Sequence, residues 1–110
     1  GWEPHKKEIL RVREKVNKPV LFTEYGYRSF DFAGKEPWQS NRSKTGYNMQ
    51  AQTNLYQAFF DEVYLEPWFS GGFIWKWFII HEGIGGENNN QFTPQNKPAQ
   101  ATIKAFFKEQ

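Results

Sequence analysis

The run Pro19-Val20-Leu21-Phe22-Thr23-Glu24 constrains this chain more than any other stretch. Val20, Leu21 and Phe22 are apolar with no polar alternation, which predicts a strand buried on both faces, as in a parallel sheet. Pro19 fits the first position of such a strand, where its missing N–H costs no ladder hydrogen bond. Glu24 then ends the run. A glutamate is rarely buried unless it is paired or used. In α/β folds the C-terminal end of a strand is where ligands bind and reactive groups sit.

The segments around this strand predict an alternation of helices and strands. Residues 4–16 read as a helix, with Pro4 at its start and Ile9, Val12 and Val16 on one face. Asn17 is placed to stop it. Residues 48–65 read as a second helix, capped by Asn48 and stopped by Pro67. Its expected apolar face carries Ala51, Leu55, Ala58, Phe59, Glu62 and Val63. Gly71 and Gly72 then introduce a strand expected over 73–78. Pro98 opens a last helix carrying Ile103, Phe106 and Phe107. This order implies an α/β class with a parallel pair and a right-handed crossover. Two strands alone leave unpaired edges and uncovered aromatic faces. Either a longer parent chain provides further strands, or several copies assemble.

Two long loops join these elements. Residues 28–45 hold Gly34, Pro37 and no apolar period, and loops of that length tend to be functional or disordered. Asn41-Arg42-Ser43 within it fits a glycosylation triplet. Residues 79–96 carry a polar tract, Glu87-Asn88-Asn89-Asn90-Gln91, readable as oxygen ligands for Ca²⁺ or as a solvated loop.

Composition narrows the function. Only 38% of the residues are hydrophobic, yet 19% are aromatic, with five tryptophans. Flat apolar faces in place of aliphatic bulk suit sugar stacking as well as packing. The net charge of +2 is too small to argue for nucleic acid or a membrane surface. There is no cysteine, which excludes disulfides and thiolate chemistry. No serine triad, phosphate-cradling glycine loop or histidine cluster is present, so no cofactor and no metal is expected. Glu24 can serve either in a structural ion pair with Arg or Lys or as a reactive carboxylate. Phe73, Trp75 and Trp77 would alternate onto one strand face, with Lys76 opposite. His81 and Glu82 lie just beyond, with nothing in the sequence to fix their geometry.

Three stretches together resemble one enzyme family. Lys18-Pro19-Val20-Leu21-Phe22-Thr23-Glu24-Tyr25-Gly26-Tyr27 resembles the nucleophile strand of clan A retaining glycoside hydrolases, most specifically the β-mannanase-like enzymes of glycoside hydrolase family 113. Gly71-Gly72-Phe73-Ile74-Trp75-Lys76-Trp77 is similar to their eighth barrel strand. Phe92-Thr93-Pro94-Gln95-Asn96-Lys97-Pro98-Ala99 is similar to the lead-in to the last helix. The resemblance implies that residues 1–110 are a C-terminal fragment of a TIM (β/α)8-barrel catalytic domain, from the seventh strand through the eighth helix with the helix before them.

Under that resemblance Glu24 is the nucleophile, Trp75 and Tyr27 contact the sugar, and a strained peptide that can be cis follows Trp75. The substrate is an oligo- or polysaccharide, with β-1,4-mannan the expected polymer. A retaining glycosidase needs two carboxyl groups about 5–5.5 Å apart. The family's acid/base residue lies on the fourth strand, outside this chain. The nucleophile must stay ionised, and Tyr25, Tyr27 and Arg28 are near enough in sequence to include donors that hold it so. The fragment alone is expected to be inactive, and partly unfolded or self-associated until the remaining barrel strands cover it. A carbohydrate-binding or scaffold piece using the same aromatics is the alternative.

Overall fold

A computed structural model describes residues 1–40 and 46–110 of the chain. The triplet Asn41-Arg42-Ser43 lies outside the described residues. In chain order the elements are α1 (Glu3–Val16), β1 (Val20–Tyr25), α2 (Met49–Phe59), β2 (Phe69–Ile74) and α3 (Pro98–Lys108). α2 runs on into a π-helical turn, Phe60–Tyr64. β1 and β2 pair in parallel, with Val20 opposite Phe69, Leu21 opposite Gly71, Phe22 opposite Gly72 and Tyr25 opposite Ile74.

Local sequence explains the boundaries. Pro4 sits in the first turn of α1, and Asn17 ends the helix in the left-handed region (φ 48°) with its N–H on the Arg13 carbonyl, a conformation asparagine tolerates. The Asn48 side chain accepts the Ala51 N–H and so caps α2. The buried stripe of α2 and its extension runs through Gln52, Tyr56, Phe59 and Val63. It keeps Phe59 and Val63 of the predicted face but runs through Gln52 and Tyr56 in place of Ala51 and Leu55, one residue round the helix, and Glu62 is correspondingly exposed. Its carboxylate approaches Lys6 of α1, whose ammonium is bonded to Glu66 at 2.9 Å.

Phe59 and Phe60 are neighbours in sequence and both fully buried, because α2 lies between the sheet and α3. Phe59 faces the sheet, stacked on Tyr25 at 4.2 Å and against Phe22 and Phe69. Phe60 faces α3 and stacks on Phe106 at 4.1 Å. Aromatic faces therefore do most of the packing, as the composition implies.

Two sequence expectations give way here. β2 begins at Phe69 and ends at Ile74, so the glycines lie inside the strand instead of introducing it. A Cβ on Gly72 would sit 3.0 Å from the Tyr25 ring, so this glycine makes room for a cross-strand tyrosine. Nor is β1 buried on both faces. Phe22 packs against the helices, but Leu21 is 53% exposed, as Phe73 of β2 is 64% exposed, because no layer of the described residues covers that side. The same holds for α1, where Val12 and Val16 stay exposed.

Candidate active site

Glu24 sits near the C-terminal end of β1. Phe22 and Tyr25 both pack on Phe59 although they are three positions apart, an odd spacing. A strand of strict alternation cannot do this. The pairing with β2 is irregular between those two residues, and Thr23 and Glu24 are both left exposed. Tyr25 and Tyr27 turn their rings inward, onto Phe59 and Tyr56 respectively. Burial, with a smaller contribution from Tyr64, pushes the Tyr25 hydroxyl up to about 12. Burial, with a smaller contribution from Tyr25, raises that of Tyr27 further.

The expected donors therefore do not gather at the carboxylate. Arg28 is buried and directs its guanidinium to the Gln39 carbonyl and to the carbonyl and side chain of Asn90. Among the described residues nothing pairs with Glu24 by hydrogen bond or ion pair. The structural ion pair open from sequence is thus not made among those residues either.

Glu24 lines a cleft of about 340 Å³. Trp75, Gly26, Tyr27, Trp38, Ser40 and Phe92 share its walls. Of the three residues picked out from sequence, all reach this cleft; Tyr27 does so as a buried wall residue, Trp75 as a half-exposed indole. Trp75 is fixed from its main chain, its N–H donating to the Tyr25 carbonyl at 2.7 Å. A Cβ on Gly26 would lie 1.9 Å from the Trp75 carbonyl oxygen, so only glycine lets the two strand exits meet. The Trp75-Lys76 peptide is cis, the form the resemblance allowed.

Because β2 stops at Ile74, the expected alternation of Phe73, Trp75 and Trp77 on one strand face does not extend past it. Lys76 is not on an opposite face: its ammonium lies over the Trp75 and Phe78 rings, 5.5 and 4.5 Å from their centroids. Trp77 instead stacks beside His81. The Gln95 amide oxygen accepts from the Phe78 N–H and the Thr93 hydroxyl, which turns its nitrogen toward His81. His81 Nδ1 is then the acceptor of that bond, at 3.1 Å. Neither His81 nor Glu82 is among the cleft walls, so no second acid is assembled there.

A polar layer that sequence reasoning did not identify ties the two loops together above the strands. Gln52 of α2, fully buried, donates to the carbonyls of Tyr27 and Phe92. Ser29 donates to the Asn89 carbonyl. The Lys97 ammonium donates to the Ser29 hydroxyl, the Asn89 side chain and the Gln91 carbonyl at 3.0, 2.9 and 2.9 Å. Two oxygens of the 87–91 tract thus bind a lysine and those of Asn90 an arginine, and among the described residues no group of acids and histidines could hold a metal ion. Burial, and to a lesser extent Arg28, lowers Lys97 to about 8. The signal in the sequence was Gln52 falling on the same helical stripe as Tyr56 and Phe59, a polar residue where an apolar one is expected.

No curated protein is similar to this chain by sequence. Solved structures are. A complex structure of a GH113 β-1,4-mannanase superposes with a TM-score of 0.80 at 23% identity, over 99% of this chain and 35% of that one. A second structure of a GH113 β-1,4-mannanase gives 0.83 at 24% identity, with the same coverage. The GH113 β-mannanase AaManA from Alicyclobacillus acidocaldarius, in complex with ManMIm, gives 0.79 at 27%, over 97% and 34%. The chain spans about a third of the length of the structures it matches. It has the α/β fold of the TIM-barrel enzymes of that family, with parallel strands. The family profile of Glycoside Hydrolase Family 113 matches residues 1–97, and the chain belongs to that family.

Proposed function

We propose that this chain is the C-terminal quarter of a retaining β-1,4-mannan-cleaving barrel and carries its nucleophile, Glu24. One observation carries the reading. An exposed carboxylate that no described residue pairs with stands near the C-terminal end of a parallel strand, in a cleft whose other walls are aromatic or small and neutral. Among the described residues the walls include no cationic side chain, which suits an uncharged hexose polymer. Family membership and the mannanase activity of the similar structures support the polymer.

In the first step the Glu24 carboxylate attacks the anomeric carbon. The bond to the leaving oxygen breaks, and an acid from the remainder of the barrel protonates that oxygen. Water, deprotonated by the same residue, then attacks the anomeric carbon and releases Glu24. Trp75 offers its indole face to the pyranose ring and Tyr27 closes the wall beside it; no cofactor takes part. Glu24 is the cleft's only carboxylate among the described residues, which favours a binding role for residues 1–110 when isolated. The missing strands, or a second copy, would cover Leu21 and Phe73.

Labelling of the complete barrel with an activated 2-fluoro glycoside tests the assignment. The label is expected on Glu24, and Glu24→Gln should abolish turnover while leaving the fold intact. Modification of Glu82 or Glu87 instead, with Glu24→Gln still active, would overturn it.

A further inference from the structure

Trp38 is 73% exposed, yet it is not on a loose stretch of loop. The Gln39 N–H donates to the Glu36 carbonyl at 2.9 Å, closing a turn with Pro37 and Trp38 at its centre. Proline at the first central position fixes the turn's backbone. The buried Arg28 guanidinium donates to the Gln39 carbonyl at 3.2 Å. The same guanidinium holds Asn90 of the other loop. A large indole is thereby held in solvent by a proline turn and a buried cation, in the wall of the cleft that contains Glu24 and Trp75.

We propose that Trp38 is a second sugar platform of this cleft, stacking on a pyranose other than the one Glu24 attacks, and so sets how strongly chain length improves the substrate. This deepens the mannanase reading above and rests on it. The ligand class follows from the surroundings. Phe92 from the opposite loop and Ser40 on the same one share the wall, giving apolar faces, a hydroxyl and, among the described residues, no cation. That suits the C–H face and hydroxyls of a neutral hexose unit.

The test compares Trp38→Ala with the wild-type complete barrel on β-1,4-mannooligosaccharides from mannobiose to mannohexaose. The fall in kcat/KM should grow with length, to about tenfold more on the longest than on the shortest, the size of one aromatic stacking contact. Trp38→Phe should restore most of the difference. It also keeps the test open if the alanine variant folds poorly. Direct binding of mannohexaose to Trp38→Phe and Trp38→Ala in a Glu24→Gln background reads affinity without turnover, and should fall in that order. A loss equal at every length, or none, overturns the role of Trp38 alone. A wild-type barrel that cleaves no β-mannooligosaccharide overturns this inference together with the reading beneath it.

Discussion

The two ends of the space above β1 and β2 are built by different physics. Toward α2 and α3 the strands are closed by stacked rings: Tyr25 on Phe59, Phe69 against Phe22, and Phe60 on Phe106. At the strands' C-terminal exits the loops are held instead by buried polar groups, Arg28, Gln52 and Lys97, bonded to carbonyls and side-chain oxygens. Apolar contacts are individually weak and non-directional, so the ring layer supplies stability but tolerates small displacements. Hydrogen bonds of fixed length and angle set positions. The difference assigns stability to one region and site geometry to the other, and substitutions can separate them.

The largest expected effect is in the ring layer. Phe59 is fully buried and touches five other aromatic rings, those of Trp2 just before α1, Phe60 in the π-helical turn, and Phe22, Tyr25 and Phe69 of the two strands. Phe59→Ala should cost about 3–5 kcal/mol, as truncation of a buried phenylalanine does. Turnover per folded molecule should change little. Denaturant unfolding and active-site titration of the complete barrel check both. A variant of normal stability but poor turnover would erase the contrast between the regions.

Gly26→Ala should behave in the opposite sense. The added methyl would meet the Trp75 carbonyl oxygen at 1.9 Å, and both groups are main chain, so the strand exits must part. The cost in stability should be the about 1–3 kcal/mol of overpacking. The shift of Trp75 from beside Glu24 should lower kcat/KM by about a hundredfold, the effect of a displacement near 1 Å. Steady-state kinetics together with thermal unfolding distinguish this from general loosening, in which stability would fall while kcat/KM per folded molecule stayed near the wild-type value.

The contrast also explains what could be read in advance. The existence of α1, α2, α3 and β1 was legible because local rules fix it: Pro4, Asn17, Asn48 and Pro98 mark ends, although apolar spacing did not give the buried faces of α1, α2 and β1. β2 was misplaced because Gly71 and Gly72 look like a turn, whereas the Tyr25 ring across the sheet leaves no room for a side chain at Gly72 and Gly71 takes a positive φ of 135°. Glu24 and Trp75 stood out in the sequence as parts of motifs, and both line the cleft. The donors expected around Glu24 were not where sequence proximity put them, since Tyr25 and Tyr27 gain more from burial among rings. The loop layer joins Arg28 to Asn90 and Ser29 to Lys97, separations of 62 and 68 residues, and no local pattern reports such pairs. Trp38 stood in a stretch with no apolar period, and only the turn and its anchor give it a direction.

The smallest expected effect concerns the ammonium at the centre of that polar layer. Lys97 is lowered from its usual 10.5 to about 8 in the folded protein, because it is buried and faces Arg28. Below pH 8 it is charged whether folded or unfolded, and the cost of burying it is fully present. Between 8 and 10.5 the unfolded chain keeps the proton that the folded chain loses, so stability rises with pH over that interval. The raised tyrosines act in the opposite direction from about 10 upward: unfolded tyrosine ionises there, whereas Tyr25 holds its proton to about 12. The window from 8 to 10 therefore isolates the lysine. Lys97→Met lacks the titrating group but leaves the Ser29, Asn89 and Gln91 oxygens without their donor. The wild type should gain stability over the variant from pH 8 to 10, by on the order of 1 kcal/mol once solvent screening is allowed for. Thermal unfolding of the two proteins at pH 7, 8, 9 and 10 reads this directly. Parallel curves would mean that Lys97 titrates as a surface lysine and that the loops are held by Arg28 and Gln52 without it.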